Sequence, residues 1–212
     1  MGTKILKIGL LITATQFLFA NSCKKNNSGS VPCTQVTPYS FDVTSTFSPQ
    51  KEIYNIGDTI YLESNFQKNL LNLISNQQVD YSNSLSVGGT IGFGLMDTIQ
   101  HSTIAAYSKF QVVPKIGTFT QIINVPENGV STSYLESTSY QFKIGIIVKQ
   151  KGLFVLGVND LASQGIIGQN CTNANFNMTV SNSNKHFNLF QYALGYPPDV
   201  LMQKSIYCFR VQ

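Results

Sequence analysis

Residues 139–158, SYQFKIGIIVKQKGLFVLGV, carry the strongest structural signal in the chain. Apolar side chains alternate with other residues along the first half, at Tyr140, Phe142, Ile144, Ile146 and Val148. After the polar Lys149–Gly152 turn the alternation resumes at Phe154, Leu156 and Val158. A period of two places the alternating side chains on one face of a strand. The stretch therefore predicts two consecutive half-buried strands.

The same alternation extends over residues 37–212. Predicted strands include those that begin at Tyr39 and at Thr59, and a terminal strand over Ser205–Val211. Asn55-Ile56-Gly57-Asp58 predicts a turn, since glycine tolerates positive φ and aspartate bonds the backbone beyond it. Leu70–Ile74 fits either a short helical turn or an irregular edge. We expect an all-β domain.

One helix is predicted near the carboxyl end. Phe187, Phe190 and Leu194 follow at spacings of three and four, with Asn184 as a candidate cap. Gly195, followed by two prolines, ends the pattern.

Two segments resemble strands of immunoglobulin-like or PKD-type modules. Ile56–Leu62 (IGDTIYL) is similar to their second strand, and Lys151–Val158 (KGLFVLGV) to their penultimate strand, with Tyr207–Val211 as the last. The resemblance implies an immunoglobulin-like β-sandwich with insertions and one short C-terminal helix. Two small tandem β domains are the alternative.

Residues 1–22 read as an export signal. Lys4 and Lys7 form a basic start, Ile8–Ala20 is mostly apolar, and Asn21 and Ser22 precede Cys23. This order is typical of a secretory signal peptide. The apolar stretch is shorter than the roughly 20 residues of a membrane span.

Leu18–Cys23 resembles the loose lipobox of Bacteroidetes-type lipoproteins, with Ala20 and Asn21 departing from the tight pattern. The resemblance implies cleavage before Cys23 and acylation of its sulfur, with palmitate among the chains. Residues 23–36 are then a polar, flexible tether. Lys24 and Lys25 replace the acidic residues that resemble a surface-export mark, which implies an outer-membrane protein facing the periplasm. A plain secretory signal with an incidental cysteine is the alternative.

Charge gives no indication of a nucleic-acid partner. Removal of the signal leaves 12 basic against 10 acidic residues, a net charge of about +2. Nucleic-acid binding requires a basic stripe, and the closest approach to one is Lys143, Lys149 and Lys151 around an apolar strand. We interpret these lysines as part of a solvent-exposed strand edge and not as a nucleic-acid-binding stripe.

Cys33, Cys171 and Cys208 remain if Cys23 is acylated. Because exported proteins meet an oxidising environment, a disulfide is plausible. Cys171 and Cys208 both flank apolar C-terminal segments, so we predict a Cys171–Cys208 bond, with a pairing of either one to Cys33 as the alternative. No C-x-x-C pair occurs, which disfavours a metal site.

No motif indicates catalysis. His101 follows a polar turn and His186 opens the predicted helix, positions that suit surface or capping roles. Asp58, Asp97, Asp160 and Asp199 sit at turns or loop starts, and the glycines of 88–94 lack the lysine of a phosphate loop. We expect neither enzyme activity nor a cofactor.

Two functions remain. The first is a non-catalytic module of the envelope that docks another envelope protein. The second is a glycan- or small-ligand-binding lipoprotein of an uptake system. Tyr134 with Tyr140, or Tyr192 with Tyr196, would supply its stacking surface, since the chain has no tryptophan.

Overall fold

A computed structural model describes residues 39–122 and 125–212. The predicted signal peptide at 1–22, the lipidation of Cys23 and the tether at 23–36 lie outside these residues and stay predictions. No helix in the described part of the chain has the length and apolar character to cross a membrane.

Seventeen strands occur in the described residues, together with two α-helices. The strands are β1 (Tyr39–Ser48), β2 (Ile53–Tyr54), β3 (Thr59–Gln67), β4 (Asn69–Asn72), β5 (Gln77–Asp80), β6 (Val87–Gly88), β7 (Thr90–Asp97), β8 (Ser102–Ala105), β9 (Phe110–Ile116), β10 (Thr118–Gln121), β11 (Gly129–Ser133), β12 (Leu135–Glu136), β13 (Ser139–Val148), β14 (Gly152–Val158), β15 (Leu161–Ser163), β16 (Ala174–Val180) and β17 (Ile206–Val211). The helices are α1 (Phe187–Leu194) and α2 (Val200–Ser205).

Seven of these strands reproduce the immunoglobulin order. In chain sequence, β1, β3, β7, β9, β13, β14 and β17 serve as strands A to G. One sheet contains the neighbours β1-β3-β13-β9, and the other contains β7-β14-β17. These are the A-B-E-D and C-F-G sheets of a constant-type immunoglobulin sandwich. The predicted fold class is therefore confirmed, and the segments quoted for the resemblance are strands B, F and G.

The two strands of the opening stretch do not pair with each other. β13 pairs with β3 and β9 in one sheet, whereas β14 pairs with β7 and β17 in the other. The Lys149–Gly152 turn thus crosses between the sheets. Hydrophobic alternation shows which face of a strand is buried but not which strand lies beside it.

One hydrophobic core fills the space between the sheets. It draws side chains from Phe41 in β1 through Val211 in β17. Aromatic pairs in it include Phe154 with Phe209, neighbours on β14 and β17 whose ring centroids lie 5.7 Å apart, and Phe47 with Tyr207 of the opposite sheet, at 5.0 Å. Stacked aromatic pairs add about 0.5–1.5 kcal/mol beyond their burial.

Several segments are added to this framework. β16 extends the first sheet by pairing in parallel with β1. β4 and β5 form a separate hairpin, so residues 69–72 are a strand and not a helical turn. The segment between β14 and β17 holds β15, β16 and both helices.

The helical region differs from the prediction in two respects. The N-cap of α1 is His186, in the left-handed region at φ 54, and Asn184 instead accepts a hydrogen bond from the His186 N–H. The short helix α2 was missed, although the Asp199 side chain caps it by accepting from the Met202 N–H at 2.8 Å. Gly195, at φ 81, ends α1 as predicted.

The predicted Cys171–Cys208 disulfide is wrong. Cys208 carries a free thiol, fully buried beneath α1, and burial raises the pKa of this thiol to about 12. Cys208 lies on the face of β17 that packs under α1, so its thiol does not face a loop. The alternative bridge to Cys33 stays a prediction, because Cys33 lies outside the described residues.

Candidate functional site

Helix α1 packs on the outer face of the second sheet. It closes a second apolar cluster made of Met96, Val155, Leu189, Phe190, Ala193, Leu194, Ile206 and Cys208. Val155 thereby becomes buried on the face of β14 opposite to the core side chains Phe154 and Leu156. The position of α1 is therefore fixed by the sheet beneath it.

The two histidines lie at opposite ends of α1. His101 Nδ1 is 2.9 Å from the Ala193 carbonyl oxygen, one of the last carbonyls of the helix, which have no partner within it. His186 occupies the N-cap position. The His101 ring thus contacts the carboxyl end of the helix, whereas the His186 side chain makes no capping hydrogen bond.

The imidazole of His186 is buried without hydrogen bonds. Its side chain is only 7% exposed, and neither ring nitrogen has a hydrogen-bond partner. Burial lowers the pKa of His186, and the Glu52 carboxylate, whose Oε2 lies 3.6 Å from Nδ1, opposes that change in part. The Tyr207 ring packs edge-on against the imidazole.

Helix α2 carries exposed apolar side chains. None of its residues is buried; Val200 is 71% exposed and Leu201 75%. Tyr192, at 66%, and Tyr196, at 54%, belong to the same segment. We call Tyr192, Tyr196, Val200, Leu201 and Met202 the apolar helical surface.

Polar contacts at both ends hold α2 in place. Asp199 caps its first turn, and Lys185 Nζ donates to the carbonyl oxygens of Gln203, at 2.6 Å, and Lys204, at 3.3 Å. A six-residue helix is not stable by itself and depends on such contacts. The apolar side chains of α2 are consequently presented to solvent on a fixed backbone.

A groove of about 500 Å³ opens beside Tyr192. We call it the cationic groove, lined chiefly by Leu95, Ile99, Lys151, Leu153, Tyr192 and Arg210. Leu153 and Arg210 are cross-strand partners on β14 and β17. Ile99 lies at the tip of the β7–β8 hairpin and is 88% exposed. Pockets of this volume hold small ligands or a few side chains of a partner.

One carboxylate joins the rim of this groove. Asp97 Oδ1 accepts the N–H groups of Ile99 at 2.8 Å and Gln100 at 3.0 Å, and these bonds lower the pKa of Asp97. The carboxylate remains ionised and orders the hairpin tip.

A larger groove, of about 910 Å³, lies between α2 and the first sheet. Its two carboxylates bond to protein groups: Asp160 Oδ1 accepts the Met178 N–H at 2.8 Å, and Asp42 Oδ1 accepts from Asn177 at 2.9 Å. Both therefore serve the pairing of β16 with its neighbours.

Two facing glycines on the second sheet have no side chains to cover the backbone of its outer face. Gly92 and Gly157 face each other across β7 and β14, and Gly129 of β11 faces Gly92 from the other side. A groove of about 320 Å³ lies over Gly92 and Gly157, with Phe190 and Met202 among its lining side chains.

The two predicted tyrosine pairs differ in their exposure to solvent. Tyr140 is buried, and its hydroxyl donates to the Tyr81 carbonyl oxygen at 2.5 Å; Tyr134 stacks on Phe142. The Tyr134–Tyr140 region is therefore core and not a stacking surface. Tyr192 and Tyr196 are exposed. Within residues 39–122 and 125–212, no three histidine, cysteine or acidic side chains cluster as metal ligands would.

Sequence reasoning missed the cationic groove. Asp97, Ile99, Lys151, Tyr192 and Arg210 are scattered over more than a hundred positions, and only the pairing of β7, β14 and β17 brings their regions together. The sequence likewise does not show that Val200 and Leu201 are exposed. A short apolar run before a terminal strand resembles core as much as surface.

Comparison with known proteins yields no family. No protein-family model and no curated protein matches the chain. Among solved structures it is similar to the human F-spondin reeler domain, with 12% identity, 69% of this chain and 98% of that one covered, and a TM-score of 0.34. It is also similar to the second type II cohesin module of the ScaA scaffoldin of Acetivibrio cellulolyticus, with 14% identity, coverage of 68% and 87%, and a TM-score of 0.30. We base no functional argument on likenesses this distant.

Proposed function

We propose that this chain is a lipid-anchored protein of the bacterial cell envelope whose folded domain docks another protein and catalyses no reaction. The observation that carries the proposal is the apolar helical surface. Val200 and Leu201 stand outward on a helix that is held at both ends. Exposed apolar patches of this kind mark sites of protein interaction.

Burial against a partner supplies the driving force. Covering an exposed Val or Leu side chain contributes about 1.5–3 kcal/mol. Because polar contacts already fix α2, docking requires little further ordering of the backbone, which lowers the entropic cost of binding. The partner is a protein that presents an apolar surface to α2.

The placement of ionisable groups supports a non-catalytic role. Asp97, Asp160 and Asp199 each accept a backbone N–H, and His101 lies against a helix carbonyl. Groups committed to structure in this way are poorly suited to act as general acids or bases.

Anchoring and location rest on the sequence alone. The basic, apolar and small-residue order before Cys23 supports export and acylation, and the polar residues that follow support a tether. Lys24 and Lys25 support retention on the periplasmic side of the outer membrane.

Site-specific photocrosslinking tests the docking proposal. A photoreactive amino acid at position 201 should give one reproducible adduct in living cells, identified by mass spectrometry. The same residue at position 167 is the matched control, since Ile167 is exposed to a similar extent, at 62%. The adduct partner, once purified, must bind the wild-type lipoprotein and lose affinity for the double variant V200S/L201S. Equal adducts from both positions, or equal affinity for the variant, would contradict the proposal.

Glycan or small-ligand binding is the second candidate, favoured by the exposed Tyr192 ring beside a groove of suitable volume. A ligand that binds the folded state raises the melting temperature. A glycan panel that leaves the melting temperature unchanged would remove this candidate.

A further inference from the structure

We infer that the cationic groove receives an apolar segment of the docked protein that carries a carboxylate side chain. The inference rests on the proposed docking function and specifies the chemistry of the partner. Its basis is the combination, in one groove, of two cations without partners and a set of uncovered apolar side chains.

The two cations are Lys151 and Arg210. Both are exposed, and neither forms an ion pair within the described part of the chain. Arg210 is the single arginine of the sequence. A guanidinium presents a rigid fork of donors that matches a carboxylate with two parallel hydrogen bonds. These side chains are available to an incoming anion.

Asp97 does not cancel this preference. Its Oδ1 is engaged by the Ile99 and Gln100 N–H groups, and it is one negative charge against two positive ones. The net charge of the groove is thus +1, which attracts an acidic side chain and disfavours a basic one.

The apolar side chains that line the groove disfavour an occupant that has only charged side chains. Leu95 and Leu153 are half-buried, and Ile99 and Tyr192 remain exposed. A purely polar occupant leaves these side chains in water. A purely apolar occupant covers Lys151 and Arg210 without pairing them, which costs free energy. A segment with both kinds of side chain meets both requirements.

Tyr192 lines the cationic groove and belongs, like α2, to the segment between β14 and β17. One partner that docks on this segment can therefore supply the occupant of the groove.

Three labelled peptides test the inference: acetyl-LEFEL-amide, acetyl-LQFQL-amide and acetyl-LKFKL-amide. Binding to the full-length lipoprotein in nanodiscs is measured by fluorescence anisotropy, with empty nanodiscs as the blank. We expect LEFEL to bind about tenfold more tightly than LQFQL in 50 mM salt, and this ratio to shrink in 500 mM salt.

Variants of the groove separate charge from fold. R210Q should weaken LEFEL by about tenfold while leaving LQFQL unchanged, and R210K should fall between R210Q and wild type because it keeps the charge but loses the fork. K115Q is the control, since Lys115 is exposed on β9 of the other sheet. Melting temperatures of all variants confirm folding.

Equal affinity for the three peptides, tighter binding of LKFKL, or the same loss in K115Q as in R210Q would overturn the inference.

The outcome of this test is separable from the outcome of the docking test. If R210Q keeps the adduct from position 201 at wild-type affinity, docking stands and the acidic occupant is wrong. If position 201 gives no adduct while the peptides discriminate, the groove chemistry stands and docking at α2 is wrong.

Discussion

The side-chain amide of Asn182 pairs with both backbone groups of Phe47. Asn182 Oδ1 accepts the Phe47 N–H at 2.8 Å, and Asn182 Nδ2 donates to the Phe47 carbonyl oxygen at 2.7 Å. β16 pairs with β1 from Tyr39 to Ser45 and ends at Val180. The side-chain amide of Asn182 continues this pairing along β1. Asn182 is itself buried.

Replacing Asn182 with alanine should therefore destabilise the domain by about 2–6 kcal/mol, since two buried backbone groups lose their partners at about 1–3 kcal/mol each. Urea unfolding followed by circular dichroism measures the loss. N175A is the control: Asn175 is exposed on β16, and its substitution should change stability by no more than about 0.5 kcal/mol. Similar losses in both variants would refute the role of Asn182.

This contact also illustrates what the sequence conceals. Residues 181–186 read SNSNKH, a polar run that predicts only a loop. That one of its amides completes a strand edge depends on the parallel pairing of β1 with β16, residues more than a hundred positions apart. Local patterns do not encode such long-range pairings.

His186 should make stability depend on pH. Because its pKa is lowered in the folded state, the unfolded chain takes up a proton first as the pH falls below the ordinary value of 6.5. The free energy of unfolding should thus fall as the pH drops from 6.5 toward the folded-state pKa, and be fully retained above 6.5.

H186N should flatten that part of the stability profile, measured by urea unfolding between pH 5 and 8. Asparagine suits the left-handed backbone at this position, where φ is 54. H101N is the matched control for the backbone, because His101 also has positive φ, at 50. An unchanged slope in H186N would assign the pH dependence to other groups.

Cys208 should resist thiol reagents until the domain unfolds. Burial removes access and leaves almost no thiolate at neutral pH, and the thiolate is the reactive form. N-ethylmaleimide should leave Cys208 unlabelled in native protein and label it in guanidinium without any reductant. Peptide mass mapping reads the result. Labelling of Cys208 only after reduction would show that Cys208 is in a disulfide, to Cys171 or to Cys33, and would contradict the free thiol.

Two glycines of one cross-strand row should respond oppositely to alanine. At Gly129, φ is 148 and an added Cβ would lie 1.9 Å from the Ile91 carbonyl oxygen. G129A should destabilise the domain by on the order of 3 kcal/mol. At Gly157 the nearest atom is 4.0 Å away, so G157A should be neutral or stabilising by up to about 1 kcal/mol. Thermal unfolding of the two variants measures this difference. Equal melting temperatures for G129A and G157A would contradict the backbone constraint assigned to Gly129.

The strands were the predictable part of the fold, because each carries its own alternation: Ile60, Leu62 and Phe66 in β3 are buried as the pattern indicates. Helix α1 was predictable from Phe187, Phe190 and Leu194. Helix α2 was missed because six residues are too few for a periodic signal. The apolar helical surface was missed because the exposure of a side chain depends on which parts of the fold leave it uncovered.

The helices and the apolar helical surface all lie in the single segment that joins strands F and G of the sandwich. Their exposed side chains contribute little to the shared core, so substitutions there should be tolerated in evolution at low cost to folding. Such a segment can diversify its specificity while the framework stays constant, as antigen-binding loops do. The same separation makes the exposed positions of residues 187–205 a suitable place to engineer new binding specificities.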